Sequence, residues 1–465
     1  MKSSIASELW KSIRTVLPLV IGPKGNYNCL MSSSFAVTVE PAARMNGRVR
    51  PPGDKSISHR YAMLAAIADG PSVIYGYSTG GDCASTLGCL RGLGVPIDQI
   101  SRDPRTGIHL EILGLQVGGL HRPSATLDAG NSGSTIRMLS GILAAHPFRT
   151  TMTGDSSLRK RPMRRIIVPL ERMGARFISD DGHPPLTVMG TDHLKGIDFQ
   201  PDVASAQVKS AVLFAGLHAD GMTRVVEPMC TRDHTERALE AFGAQVGRAG
   251  TSVAIHGGQR LIGGTFHVPG DISAAAFWIV AAAALPGSDV TIEHVGLNPT
   301  RTGILDVVRR MGADVKTITE HAQAGEPIGI IRVRHAVLQA AQIAPEEVPG
   351  VIDELPVLAA LATHGGELSV TGAQELRVKE SDRISALAEG LRLMGGEIDE
   401  QPDGFHVRGR NRLCGGEVDA KSDHRLAMAF AIAALGATGP TVIHDAGSAS
   451  VSYPEFFTVL ESLRA

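Results

Sequence analysis

Leu90-x-x-Leu93-Gly94, Leu170-x-x-Met173-Gly174, Leu239-x-x-Phe242-Gly243, Val308-x-x-Met311-Gly312 and Leu391-x-x-Met394-Gly395 are five copies of one helix ending. A glycine just past a helix takes the left-handed cap conformation that other residues resist. Successive glycines lie 80, 69, 69 and 83 residues apart, and about one more period remains before Ala465. The chain therefore reads as six units of similar length.

A second landmark precedes each glycine. Asp54-Lys55-Ser56, Asn131-Ser132-Gly133, Ser205-Ala206-Gln207, Asp271-Ile272-Ser273, Asp353-Glu354 and Asp423-His424-Arg425 each open a helix rich in Ala, Leu and Ile. From Lys55, Asn131, Ser205, Asp271 and Asp353 the following glycine is 39, 43, 38, 41 and 42 residues away. Capped helices resemble one another singly, but that regularity of spacing is not a property of caps. Each unit holds two helices and short strand-like stretches such as Leu186–Val188 and Phe405–Val407, which makes the fold class mixed α/β (α+β). Pro52-Gly53-Asp54-Lys55-Ser56 recurs as Pro269-Gly270-Asp271-Ile272-Ser273. These two places mark crossings between halves of three units: one domain over 54–268, the other over 36–53 plus 269–465.

The bulk composition narrows the function. Forty-five Lys and Arg against 47 Asp and Glu give a net charge of −2, so no global field draws in nucleic acid or an anionic membrane. Five cysteines without a Cys-x-x-Cys pair argue against a disulfide framework and a zinc site, and for a reducing, cytoplasmic setting. The longest apolar run, Ala274–Leu285, is too short for a bilayer span and reads as a buried helix. Residues 1–35 are basic and Ser-rich; Leu17–Ile21 resembles a very short signal core, yet no small-residue cleavage pattern follows. We set them aside as an extension, disordered or upstream of a true start at Met31, with a targeting peptide as the alternative.

Local anion sites are the remaining possibility, because unpaired N–H groups and the helix dipole favour negative charge at helix starts. Lys55, Ser56 and Arg60 stand at one such start, a donor cluster suited to a phosphate and a carboxylate. The spacing of a nucleotide-binding P-loop is missing. Leu158–Arg165 holds five cations in eight residues. With only 4% aromatics in the chain, a single-strand nucleic-acid platform is unattractive, whereas Arg161 could grip a small anion.

Together with Ser205–Lys209, Arg232–Glu236, Asn298–Arg301, Glu375–Arg383 and Asp423–Arg425, these segments resemble the 5-enolpyruvylshikimate-3-phosphate synthase family over about residues 36–465. The resemblance implies a two-domain, inside-out α/β barrel-like fold of six βαβαββ units closing on a cleft. It implies transfer of the enolpyruvyl group of phosphoenolpyruvate to the 5-hydroxyl of shikimate 3-phosphate, with release of phosphate and no cofactor or metal. Lys55, Ser56, Arg60, Ser205, Ala206 and Gln207 would hold shikimate 3-phosphate. Asn131, Gly133, Arg161, Arg383 and Arg425 would line the phosphoenolpyruvate side, which Lys55 also reaches. Asp353 would act as base on the hydroxyl, Glu380 as proton donor to C3, and Lys379 would share substrate binding. The bland alternatives are an N-cap for Asp353, a surface ion pair with Arg383 for Glu380, and a structural role for His424.

Two departures stand out. Many family members carry a lysine where this chain reads Ser450–Pro454, so one expected anion contact is missing; Arg232 would help replace lost phosphate contacts elsewhere. Gly133 stands where some glyphosate-tolerant members have alanine. The sister enzyme, UDP-N-acetylglucosamine enolpyruvyl transferase, usually has a reactive cysteine shortly before the arginine matching Arg161; Ser156 and Ser157 stand here. A non-catalytic anion-binding or nucleic-acid-processing homologue would not need Asp353, Glu380, Lys55 and Arg161 together. The chain is expected to act as a monomer on small molecules, with neither nucleic acid nor membrane as partner.

Overall fold

The computed structural model describes residues 35–103 and 106–465; the expectations for 1–34 lie outside the described residues. All five repeat glycines have positive φ, between 85° and 120°. In each copy the amide two residues past the helix bonds back to the carbonyl of the leading Leu or Val: Val95 to Leu90, Ala175 to Leu170, Ala244 to Leu239, Ala313 to Val308 and Gly396 to Leu391. That is the six-to-one bond of a Schellman cap. The helix starts are also as expected. Asp54, Ser132, Ser205, Asp271 and Asp423 each accept a hydrogen bond from a backbone amide in the first turn. The fifth unit differs: Leu355–Ala362 starts with a proline in its first turn and no side-chain cap.

Each of the second, third and fifth units builds a four-stranded sheet in the order first, second, fourth, third strand. The first pair is parallel and the others antiparallel, as in Leu127–Asp128, Arg149–Thr153, His183–Met189 and Arg176–Asp180. The first and fourth units exchange their leading strands. Thr265–His267, which precedes the fourth unit's helix, pairs with Asp69–Tyr77 of the first unit. Asn46–Val49, which precedes the first unit's helix, pairs with Asp289–Gly296 of the fourth. In the sixth unit the sheet is completed by Val37–Val39, from the other end of the chain. Among the described residues the six sheets stay separate and none closes into a barrel.

Two hydrophobic cores result. One comprises residues between Ile57 and Val268. The other joins Val39, Met45 and Val49 to residues from Ile272 to Leu463. Each is centred on helices that open at the polar landmarks. Ile272–Ala284 is buried along its whole length, as its uninterrupted apolar sequence requires. Where the chain passes between the cores, the two Pro-Gly segments lie side by side: Asp54 N donates to Pro269 O at 2.7 Å, and Asp271 N to Pro52 O at 2.8 Å. Glycine is needed at 53, since a Cβ there would sit 1.8 Å from Gly76 O. Among the described residues no helix is long and apolar enough to cross a membrane. The four described cysteines are free.

Candidate active site

A cleft of about 350 Å³ opens where the helix starts of both groups of units meet. Every candidate from the sequence lines it except Asn131. Asn131 stands one step back: its Oδ1 accepts from Arg161 Nη2 at 2.7 Å and its Nδ2 donates to Asp155 Oδ2 at 2.7 Å. It orients the arginine rather than facing the cavity. No lining residue comes from Ser450–Pro454.

The first three units supply mainly donors. Lys55 Nζ lies 2.9 Å from Asp82 Oδ2. Burial disfavours its charge, but Asp82 and Glu380 outweigh burial, so its pKa rises. Ser56 follows at the same helix start, and its carbonyl accepts from Arg60 Nη1 at 2.9 Å. Gln207, next to Ser205 and Ala206 at a third helix start, accepts from Arg137 Nη1 at 2.7 Å and donates to Ser134 Oγ at 2.9 Å. Arg161 is buried and reaches across the cleft to Glu380 Oε1 at 3.4 Å.

The last three units supply Asp353 and Glu380. Asp353 is no helix cap; its carboxylate pairs with Arg232 and stands 3.6 Å from both Lys379 Nζ and Arg383 Nη1. Burial raises its pKa, yet Arg232, Lys379, Arg425 and Arg383 together hold it well below the usual carboxylate range. Glu380 is not a surface ion pair, being 13% exposed and 2.6 Å from Arg383 Nη2. Burial again opposes its charge, and Arg383, Arg161 and Lys55 prevail, so this acid too lies far below its ordinary value. Lys379 shifts down, chiefly by burial, against the pull of Asp353. Arg383 is anchored from behind by Asp423, through contacts of 2.7 and 3.2 Å.

Several cleft residues lay outside the sequence-derived set. Asp82 is the second residue of the helix Gly81–Gly92 and Arg137 lies one turn beyond Gly133; neither sits at a landmark. Helical periodicity from Gly133 points to Arg137 only once the facing direction is known. Arg232, named above as a substitute contact, is a cleft residue paired with Asp353. His424, expected as structural, lines the cleft with neither ring nitrogen hydrogen-bonded. Burial and then Lys55 push its pKa well down, so it is neutral.

The lining holds eight Lys and Arg side chains against five carboxylates. That excess, facing the N-termini of several helices, suits a polyanionic ligand. Among the described residues no group of His, Cys, Asp or Glu could hold a metal ion.

The family model of EPSP synthase (3-phosphoshikimate 1-carboxyvinyltransferase) matches residues 39–460. The 3-phosphoshikimate 1-carboxyvinyltransferase of Methylococcus capsulatus is 48% identical over 430 residues, 92% of this chain and 97% of that protein. That of Alkalilimnicola ehrlichii is 50% identical over 420 residues, 90% of this chain and 93% of the other. The structure of EPSP synthase from Acinetobacter baumannii superposes with a TM-score of 0.81 at 41% identity, covering 92% of this chain and 98% of that one. With a matching family model over nearly its whole described length, the chain belongs to the EPSP synthase family.

Proposed function

We infer that the protein is a 3-phosphoshikimate 1-carboxyvinyltransferase, joining phosphoenolpyruvate to shikimate 3-phosphate in the shikimate pathway. One observation carries the reading beyond family membership: Asp353 and Glu380 enter a single cleft together with eight basic side chains. Two ionisable acids among anion-binding groups are what an addition and elimination require.

Lys55, Ser56, Arg60 and the Ser205–Gln207 helix start bind shikimate 3-phosphate; Arg161, Arg383, Arg425 and the Gly133 helix start bind phosphoenolpyruvate. Asp353 takes the proton of the 5-hydroxyl as its oxygen bonds to C2. Glu380 delivers a proton to C3. In the second step C3 returns a proton as the C2–O bond to phosphate breaks, leaving the enol ether and inorganic phosphate. Glu380 is held as an anion by Arg383 and Arg161. Phosphoenolpyruvate, bringing its own anions to those arginines, competes for them and lets Glu380 take up the proton it must donate. Lys55 stabilises charge that develops on the transferring group.

The stretch 54–268 acts as one domain and 36–53 plus 269–465 as the other. They close through the paired crossings at Pro52-Gly53 and Pro269-Gly270. Shikimate 3-phosphate, held by helix starts of the first and met by Asp353 and Lys379 of the second, favours closure by offsetting repulsion among the basic side chains. We place the enzyme in the cytoplasm as a monomer without cofactor.

The decisive test is phosphate release measured with phosphoenolpyruvate and either shikimate 3-phosphate or UDP-N-acetylglucosamine. Turnover with the first alone is expected; turnover with the second alone would reassign the chain to the sister activity. Small-angle scattering with saturating shikimate 3-phosphate should show a smaller radius of gyration, and no change would remove the hinge.

A further inference from the structure

Three charged side chains buried behind the cleft have no part in the scheme above. Lys209 Nζ lies 2.8 Å from Glu227 Oε2 and 2.7 Å from Glu236 Oε1, and the three side chains are only 2%, 3% and 2% exposed. Burying ions costs several kcal/mol each, and well-packed apolar residues stabilise such positions at least as well. Stability alone therefore gives no reason for these ions. Two carboxylates also face one ammonium, and Glu236 Oε2 accepts no hydrogen bond.

Each member leads to the cleft wall. Glu227 follows the strand Met222–Val226 and receives both the amide of Thr231, at 3.4 Å, and the Thr231 hydroxyl. Thr231 lines the cleft, and the next residue, Arg232, reaches Asp353. Glu236 acts on Arg60. Burial brings that guanidinium down to about 10, and Glu236 is the strongest of the charges that oppose the fall. Arg60 donates to Thr235 Oγ1 at 2.6 Å and to Ser210 Oγ at 2.8 Å. Those two hydroxyls belong to the helices His234–Ala241 and Ala206–Gly216, which also carry Glu236 and Lys209.

We propose that Lys209, Glu227 and Glu236 are positioning residues. This buried triad ties two helices and the 227–232 turn together and so presents Arg60 and Arg232 to the phosphate of shikimate 3-phosphate. The proposal rests on the enzyme reading above. It predicts an effect confined to one substrate, because the triad touches neither Arg161 nor Arg383.

Thr231→Val removes the hydroxyl that Glu227 holds, and Thr231→Ser keeps it. Glu236→Gln removes charge while keeping the shape. In steady-state kinetics Thr231→Val and Glu236→Gln should each raise KM for shikimate 3-phosphate about 10-fold, as expected for losing one hydrogen bond to a charged group. KM for phosphoenolpyruvate should stay within about twofold, and Thr231→Ser should match the parent. Equal rises in both KM values, or a fall in kcat alone, would reduce the triad to a structural element. Should Glu236→Gln fail to fold, the Thr231 pair decides.

Amide hydrogen exchange across 227–233 without substrates gives a second readout. It should quicken in Thr231→Val and not in Thr231→Ser; equal protection in both overturns the proposal. A parent protein inert toward shikimate 3-phosphate would instead sink the enzyme reading, and exchange would judge the triad separately.

Discussion

The two Pro-Gly-Asp-x-Ser segments are near copies in sequence and in backbone, yet only one brings a charge to the cleft. Asp54 caps Lys55–Ala66 by accepting from Ile57 N, and Asp271 caps Ile272–Ala284 by accepting from Ser273 N. Arg301 sits between them, 3.8 Å from Asp54 and 3.5 Å from Asp271. Their environments still differ. Burial, reinforced by Asp271, raises Asp54, whereas Asp271 goes down because Arg301 and Arg425 outweigh its own burial. The residue after the cap settles the role: Lys55 points its ammonium at Asp82 on the cleft wall, and Ile272 is 1% exposed in the second core. A helix start offers an anion site wherever it occurs. Whether a ligand can use it depends on which way the first turn faces.

Exchanging the two residues tests this most severely. Ile272→Lys would bury an ammonium without a partner and should cost about 3–5 kcal/mol in denaturant unfolding. If the variant keeps parental stability, the second helix start is not closed off. Lys55→Met, which makes the first copy resemble the second, should fold normally and lose about 10³-fold in kcat/KM for phosphate release; a loss under tenfold would make Lys55 dispensable.

Asp353 offers a milder contrast, being the landmark residue of the one unit that lacks a side-chain cap. Asp353→Ala should lower kcat by about 10²-fold with the fold intact, as seen by circular dichroism. Near-normal turnover would take Asp353 out of the chemistry. The cleft carboxylates should also be visible in stability. Because the folded protein holds Asp353 and Glu380 below their unfolded values, they stabilise it above the ordinary carboxylate range, and that contribution is lost as pH falls through the folded values. Glu380→Gln should accordingly flatten the decline in stability below about pH 4.3. An unchanged acid limb would mean that Glu380 is not held as an anion.

Gly133 is expected to give the smallest effect. A Cβ there would lie 3.0 Å from Arg137 Nη1 and 3.3 Å from Arg161 Nη1, both mobile ends of long side chains. Gly133→Ala should raise KM for phosphoenolpyruvate a few-fold, about 1 kcal/mol or less, and the inhibition constant of glyphosate proportionally more. Equal changes would place Gly133 outside that pocket.

The periodic glycines, the capped helix starts and the two crossings are all local signals. Each is a backbone requirement that particular residues meet: positive φ at Gly94 or Gly395, a side-chain acceptor at Asp54 or Ser205, absence of a Cβ at Gly53. They were readable because such requirements involve neighbours in the chain. The family resemblance then supplied the candidate residues, some at those starts and some in loops, and all but Asn131 reach the cleft wall.

Asp82, Arg137 and His424 escaped because what distinguishes them is orientation, and no periodicity reports which side of a helix looks into a cleft assembled from several units. The strand exchange between the first and fourth units was hidden for a similar reason: Asn46–Val49 and Thr265–His267 are short edge strands whose partners lie hundreds of residues away or back along the chain. The buried Lys209 triad is the clearest case. In sequence it is a lysine and two glutamates on separate elements; only packing takes them from water and makes their pairing, and their hold on Thr231 and Arg60, a matter of free energy. By itself, then, the sequence determined the six units, their helix caps and the family to which the chain belongs, since these depend on local backbone chemistry and motif order. The tertiary structure decided which charges share one low-dielectric cleft and which support it from behind, because electrostatic strength depends on distance and burial that the linear order does not contain.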